Sequence, residues 1–78
     1  MSEDYVVRYG YENKTNRTEY TTQEKARKEF EKLKLDSSVT WAELLYEPLA
    51  EEETQILIDE FEKQIIYFFG QKLVFNIG

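Results

Sequence analysis

Residues 48–70, which read PLAEEETQILIDEFEKQIIYFFG, decide the fold of this chain. Pro48 suits the first turn of a helix, the glutamates at 51–53 complement the positive end of a helix dipole, and Gly70 suits a C-terminal cap. The apolar residues lie within about 120° of a helix circumference. They are Ala50, Leu57, Ile58, Phe61, Ile65, Phe68 and Phe69. The pattern therefore predicts an amphipathic helix over 48–70.

A strand is the competing interpretation of part of this stretch. Ile56, Ile66 and Tyr67 fall outside the apolar stripe and belong to residue types that favour strands. Residues 54–61 would then form a hairpin with residues 41–46.

The burial of charge decides between the two interpretations. In a strand, Asp59 shares a face with Phe61, and the opposite face carries Glu60, so a carboxylate points inward whichever face is buried. Lys63 and Lys72 are the only bases in this half of the chain, and an unpaired buried carboxylate is costly. We therefore expect the helix.

The N-terminal half of the chain predicts a hairpin followed by a helix. Residues 5–11 alternate with the two-residue period of a strand, residues 12–16 are turn-prone, and residues 17–20 return as a short second strand. Thr21 then caps a helix, with Glu24 completing a capping box. The helix should end near Leu35, and its apolar stripe comprises Ala26, Phe30 and Leu33.

Residues 39–47 predict a strand with apolar side chains on both faces. Val39, Trp41 and Leu45 share one face with Glu43, whereas Ala42, Leu44 and Tyr46 share the other. Such a strand is central in its sheet, or a partner covers one of its faces. Residues 73–77 close the chain as a short strand. The expected fold is one α+β domain spanning 1–78, a small antiparallel sheet packed by two helices in the order ββαβαβ, with ββαβββ and a single helix as the alternative.

The composition disfavours catalysis. The chain contains no histidine and no cysteine, which removes the usual neutral-pH proton carrier, the thiol nucleophile and the commonest transition-metal ligands. We therefore expect a binding protein, not an enzyme, with no cofactor and no metal. A domain of 9.4 kDa buries little surface, so a homodimer or larger homo-oligomer remains an alternative.

Acidic residues are concentrated in one part of the chain. Residues 1–38 carry eight acids and eight bases, whereas residues 39–78 carry eight acids and two lysines. The acids of the second half lie between residues 43 and 62, with no base among them, and we call this segment the acidic block. It disfavours direct binding of nucleic acid or anionic membrane and favours a partner with a basic surface. The predicted partner-binding residues are Glu43, Glu47, Glu51, Glu52, Glu53, Asp59, Glu60 and Glu62, with Trp41 and Tyr46 as aromatic anchors.

The run from Tyr20 to Leu33, followed by residues 41–48 (WAELLYEP), resembles small accessory proteins of bacteriophages. In size, acidity and order of elements the chain is similar to anti-CRISPR proteins and other phage inhibitors of host defence. The resemblance implies a viral protein that blocks a nuclease complex by occupying its basic nucleic-acid groove, in some cases as a DNA mimic. No stretch reaches the roughly 20 apolar residues of a membrane span, so we expect a soluble protein in the host cytoplasm. The alternative function is a homo-oligomeric structural or regulatory domain.

Overall fold

The structure of the chain is a computed structural model that describes residues 3–11, 13–48 and 54–76. Its elements are β1 (Tyr5–Tyr11), β2 (Lys14–Tyr20), α1 (Gln23–Leu35), β3 (Val39–Tyr46), β4 (Ile56–Phe68) and β5 (Gln71–Asn76). The strands pair antiparallel in the order β2-β1-β3-β4-β5. Over the described ranges α1 is the single helix, so the α+β class is confirmed in its alternative form ββαβββ, and the two-helix form is wrong.

The predicted helix over residues 48–70 is wrong, because residues 56–68 form a strand. Asp59 does lie on the helix-facing side of the sheet, as expected for a strand, but it has a partner there. Arg27 of α1 donates from Nη1 to Asp59 Oδ2 at 2.6 Å. The prediction considered only bases close in sequence, whereas the compensating charge comes from the other half of the chain. Residues 49–53 lie outside the described part.

An irregularity in β4 explains why its apolar residues do not alternate. The pairing of β3 with β4 shifts between Leu44 and Leu45, so that Leu44 lies opposite Asp59 and Leu45 lies opposite Leu57. The intervening Ile58 is the extra residue of a β-bulge, and it packs against the core under the helix. A strand with one bulge can therefore bury apolar residues whose spacing in the sequence resembles that of an amphipathic helix.

The predicted hairpin at the N-terminus is confirmed, with a longer second strand. β2 begins at Lys14 instead of residue 17, and its register runs from Tyr5 opposite Tyr20 to Tyr11 opposite Lys14. Asn13 in the turn adopts a φ of 63°. Asparagine tolerates this left-handed conformation better than most residues, which allows a tight connection.

Helix α1 begins one residue later than the sequence indicated. The N-cap is Thr22, whose Oγ1 accepts a hydrogen bond from the backbone N–H of Lys25 at 3.2 Å, so the predicted cap at Thr21 is wrong. The end of the helix at Leu35 is confirmed. The predicted buried stripe is also confirmed, since Ala26, Phe30 and Leu33 all face the sheet core.

The core lies between α1 and one face of the sheet. It comprises Val7, Ala26, Phe30, Leu33, Val39, Ala42, Leu44 and Phe61. The rings of Phe30 and Phe61 are 5.2 Å apart and tilted by 53°, which joins the helix to β4. Val39 was expected to share a face with Trp41. It joins this core instead, because the β1–β3 register shifts between Gly10 and Tyr11.

Strand β3 is central, which is the first of the two alternatives that its two apolar faces predicted. It lies between β1 and β4, with Ala42 and Leu44 buried toward the helix and Leu45 buried on the opposite face. The chain therefore places this strand, which is apolar on both faces, between two paired strands, with α1 covering one of its faces.

Strand β4 is long, and its two halves have different partners. Residues 56–62 pair with β3, and residues 63–68 pair with β5. We call residues 63–76 the arm. At about 3.3 Å per residue, β4 spans roughly 40 Å, consistent with a molecule 51 Å long and 22 Å wide. The predicted last strand is confirmed as β5.

Lys63 anchors the base of the arm to the end of the helix. It is only 8% exposed, and its Nζ donates to the carbonyl oxygens of Leu33 at 3.2 Å and Asp36 at 2.7 Å. A cation at the C-terminus of a helix complements the helix dipole. Within the described residues, no helix has the length and apolar character needed to cross a membrane.

Candidate functional site

The sheet has one face under α1 and one face that the helix does not cover, which we call the open face. Alternation along the strands places twelve residues on it. They are Thr15, Arg17 and Glu19 of β2, Val6, Arg8 and Gly10 of β1, Trp41, Glu43 and Leu45 of β3, and Leu57, Glu60 and Glu62 of β4. This face brings together residues from four strands, and it is the candidate site.

A row of four charged residues crosses the open face. The register places Arg17 opposite Arg8, Arg8 opposite Glu43, and Glu43 opposite Glu60. The row therefore has two bases on one side of the sheet and two acids on the other. Arg8 Nη1 and Glu43 Oε1 are 3.6 Å apart in the middle of the row. The open face is thus electrically polarised, with its acidic side on β3 and β4.

The acidic side carries an unfavourable pair of like charges. Glu43 and Glu60 lie directly opposite each other on neighbouring strands, an arrangement that destabilises a sheet. Glu43 is compensated by Arg8, but neither Glu60 nor Glu62 has an ion pair within the part of the chain that the structure describes. Both are exposed. Two carboxylates of the acidic block are therefore available to an external cation.

Trp41 lies on β3, the strand that pairs with the one carrying these carboxylates. The register places Trp41 between Gly10 of β1 and Glu62 of β4. A Cβ at Gly10 would come within 2.2 Å of the Trp41 Nε1 atom, so the indole lies directly on the glycine backbone. The ring is half-buried. This aromatic side chain lies over β1, and the two exposed carboxylates lie on β4 of the same face, so the face combines an aromatic anchor with acidic residues.

Glu47 connects the end of β3 to the opposite edge of the sheet. Arg17 Nη2 of β2 donates to Glu47 Oε2 at 2.5 Å across the intervening strand β1, and Gln55 also donates to this carboxylate. The hydrogen bond from Arg17 holds the pKa of Glu47 below its ordinary value, against the opposing effect of burial. The same contact raises the pKa of Arg17. The Glu47 carboxylate is therefore already bound by two residues of the same chain, Arg17 and Gln55.

Asp59 and Tyr46, both predicted to bind a partner, lie on the helix-facing side instead. The hydrogen bond from Arg27 holds the pKa of Asp59 below its ordinary value. The Tyr46 ring lies 5.1 Å from the Tyr5 ring, which itself packs against the core. Of the predicted residues, the structure therefore brings together Trp41, Glu43, Glu60 and Glu62, whereas Glu51, Glu52 and Glu53 lie outside the described residues.

Three arginines of the N-terminal half neutralise much of the acidic block. Arg8 contacts Glu43, Arg17 contacts Glu47, and Arg27 contacts Asp59, each across at least 30 positions of sequence. The distribution of charge along the sequence does not reveal these ion pairs, because the two residues of each pair lie far apart in the chain. The signal that could have found Arg8 and Arg17 is their place in the predicted hairpin, on the same face by the two-residue period.

The described residues show no assembled centre for metal chemistry, since no three of their Asp and Glu side chains are grouped to hold an ion. What the open face offers is charge, an aromatic ring and an exposed sheet surface. Comparisons with protein-family models, with curated proteins and with solved structures find no match to this chain.

Proposed function

We propose that this chain is a binding protein that docks the acidic side of its open face on a basic surface of another protein. The observation that carries the proposal is the group formed by Trp41, Glu60 and Glu62. Its two carboxylates are exposed on β4, on the face of the sheet that α1 leaves uncovered, and the Trp41 ring lies on the same face over Gly10 of β1.

The placement of Glu43 directly opposite Glu60 supports the same proposal. An arrangement that destabilises the free sheet is relieved when an external lysine or arginine comes between the two carboxylates. Because interfaces of this kind depend on charge, we expect association to be fast at low salt and to weaken as salt is added. The surface that docks on the partner would be smaller than one formed by all the acids of the acidic block.

A basic nucleic-acid groove is the partner surface that we favour. Such a groove presents several arginines and lysines that bind phosphate, and a compact acidic face can occupy it in place of the nucleic acid. This matches the resemblance to phage inhibitors of nuclease complexes, acting in the cytoplasm of the host cell. The chain would act by occlusion, without a chemical step.

The experiment is a defence assay in bacteria. Cells that carry one of a panel of RNA-guided nuclease systems express the wild-type chain, and phage plating is measured against cells without the chain. We expect plating to rise at least about tenfold in the system that is inhibited. The test variant is Glu60→Lys with Glu62→Lys, which reverses the two exposed charges of the open face.

A matched control separates the open face from net charge. Glu3→Lys with Glu24→Lys changes two exposed acids outside the open face, and each double variant moves the formal charge from −6 to −2. We expect inhibition to be lost in the open-face variant and kept in the control. Equal activity of both variants, or no inhibition of any system by the wild type, would contradict the proposal.

A further inference from the structure

The row of four charged residues on the open face, which we call the charged row, contains two pairs of like charges. Arg17 lies directly opposite Arg8 on β2 and β1, and Glu43 lies directly opposite Glu60 on β3 and β4. Like charges in such positions destabilise a sheet. The inner members, Arg8 and Glu43, compensate each other in part across 3.6 Å. The outer members, Arg17 and Glu60, have a neighbour of their own sign within the row.

The order of these charges makes the charged row complementary to its own reverse. From β2 to β4 it reads base, base, acid, acid, so the same row turned end to end reads acid, acid, base, base. A second copy in that orientation places an acid opposite each base and a base opposite each acid. A basic surface relieves only the acidic pair and brings further positive charge to the arginines. The occupant that matches all four charges is therefore a second copy of this chain.

The geometry of sheet packing leaves two orientations for a second copy, and the charges select one. Sheets that pack face to face in the aligned manner keep their strands within about 30° of each other. A twofold axis between them then runs across the strands or along them. An axis across the strands places β4 over β4, so that acids meet acids. An axis along the strands places β4 over β2 and β3 over β1, so that acids meet bases.

The middle of the open face is uncharged on both sides of the charged row. Val6 pairs with Leu45 on one side, and Gly10 pairs with Trp41 on the other. Val6 and Leu45 are only 1% and 3% exposed, although α1 does not cover them. The Trp41 indole lies over Gly10, between β1 and β3, where the axis along the strands would pass. Aromatic residues at the centre of an interface often contribute most of the binding energy.

We infer that two copies of this chain pair open face to open face, about a twofold axis that runs along the strands between β1 and β3. Arg17 and Arg8 of each copy then face Glu60 and Glu43 of the other, and the two Trp41 rings meet at the axis. Facing sheets lie about 10 Å apart, a gap that an arginine and a glutamate extending from opposite sides can bridge. The contact is isologous, because each copy presents the same patch to the other.

The dimer and the proposed function use the same acidic residues, although the inference of a dimer does not rest on that function. A dimer withdraws Glu60 and Glu62 from any basic partner, so only the monomer can dock. The formal charge of −6 on each copy opposes association. We therefore expect a dissociation constant in the micromolar range, on the order of 10 µM. The open face is then free at low concentration and covered at high concentration.

The first experiment uses the wild-type chain alone. Sedimentation equilibrium from about 1 to about 200 µM covers dissociation constants in the micromolar range, and we expect a monomer of 9.4 kDa to convert to twice that mass. Nuclear magnetic resonance over the same range should show the Trp41 indole N–H signal moving with concentration, while the amide signals of Lys28 and Lys32 on the outside of α1 stay in place. A monomer throughout, or a dimer whose signal changes are confined to α1, would overturn the inference.

A charge swap tests the orientation of the two copies. Glu60→Arg and Arg17→Glu each place like charges opposite each other twice in the dimer, so each variant alone should dimerise at least about tenfold more weakly than the wild type. An equimolar mixture of the two should dimerise again, because the swapped charges then face each other. Glu24→Arg is the matched control for Glu60→Arg, since it changes an exposed acid of α1 by the same amount of charge and should leave the dimer unchanged.

Circular dichroism checks the fold of each variant. If Arg17→Glu does not fold, the comparison of Glu60→Arg with its control decides the test alone. Full dimerisation of Glu60→Arg, equal weakening by the control, or no recovery in the mixture of two folded variants would refute the interface. Each of these results would leave the proposed function intact, because that proposal is scored by inhibition of a nuclease system and not by mass.

Discussion

Replacing Lys63 with methionine tests how the base of the arm is fixed to the helix. Lys63 is a charged residue that is buried, with only 8% of its surface exposed. Its ammonium donates to the carbonyl oxygens of Leu33 and Asp36, at the C-terminal end of α1. Methionine keeps a long apolar side chain of similar size, so the substitution removes the charge and the hydrogen bonds while it preserves most of the packing.

The expected loss is moderate because three contributions partly offset one another. Hydrogen bonds from a charged donor contribute about 1.5–3 kcal/mol each, and a cation at a helix C-terminus contributes about 0.3–2 kcal/mol. Against this, methionine avoids the cost of burying an ammonium, which is several kcal/mol. Both carbonyls also keep a backbone donor, since Asp36 N–H reaches Leu33 O at 3.2 Å and Val39 N–H reaches Asp36 O at 3.1 Å. We expect the free energy of unfolding to fall by about 1–2 kcal/mol.

Urea denaturation, followed by circular dichroism at a fixed low protein concentration, measures this free energy. Lys32→Met is the matched control, because Lys32 lies in the same last turn of α1 but is exposed. The control should change stability by less than about 0.5 kcal/mol. If Lys63→Met were as stable as the wild type, the cost of burying the ammonium would equal its attraction to the helix end. The reasoning above would then be wrong.

Three further changes test the core, the open face and the cross-half ion pairs. Phe61→Ala removes a buried ring and should lower the free energy of unfolding by about 3–5 kcal/mol in the same urea titration. Gly10→Ala places a methyl group against the Trp41 indole and should cost about 1–3 kcal/mol, with a shift in tryptophan emission as the ring is displaced. The lowered pKa of Asp59 predicts stability that is complete above the ordinary carboxyl range near pH 4 and is lost as pH falls through the lowered value. In Arg27→Met, unfolding measured from pH 7 to pH 2 should therefore depend less steeply on pH.

The sequence predicted the elements that local patterns define. The β1–β2 hairpin, the stripe of Ala26, Phe30 and Leu33, and the central position of β3 follow from periodicity and turn chemistry. The strand at 56–68 could not be predicted in this way. A β-bulge breaks its two-residue period, and the partner of Asp59 is 32 residues away in the sequence. Both are tertiary effects, and they outweighed a pattern that fits a helix well.

The candidate site was predicted only in part, for the same reason. Trp41, Glu43, Glu60 and Glu62 do lie together, since they occupy alternate positions of two strands that pair directly. A helix would have arranged the acids along a rod, whereas the strand divides them between two faces. Asp59 is directed toward Arg27 and Glu60 toward solvent, although they are neighbours in sequence. The charge composition therefore predicted that the candidate site carries acidic residues, but it did not predict how large the acidic surface is.

The contact of Trp41 with Gly10 also gives the molecule an internal optical probe. The chain has one tryptophan, so its tryptophan fluorescence comes from a single place, the junction of β1 and β3. Emission and quenching there depend on the polarity around the indole and on its access to water. Unfolding separates the ring from the glycine, and a partner docked on the open face as proposed would exclude water from it. The unlabelled wild-type chain can thus report, through one signal, both the integrity of its sheet and the occupancy of the face beside it.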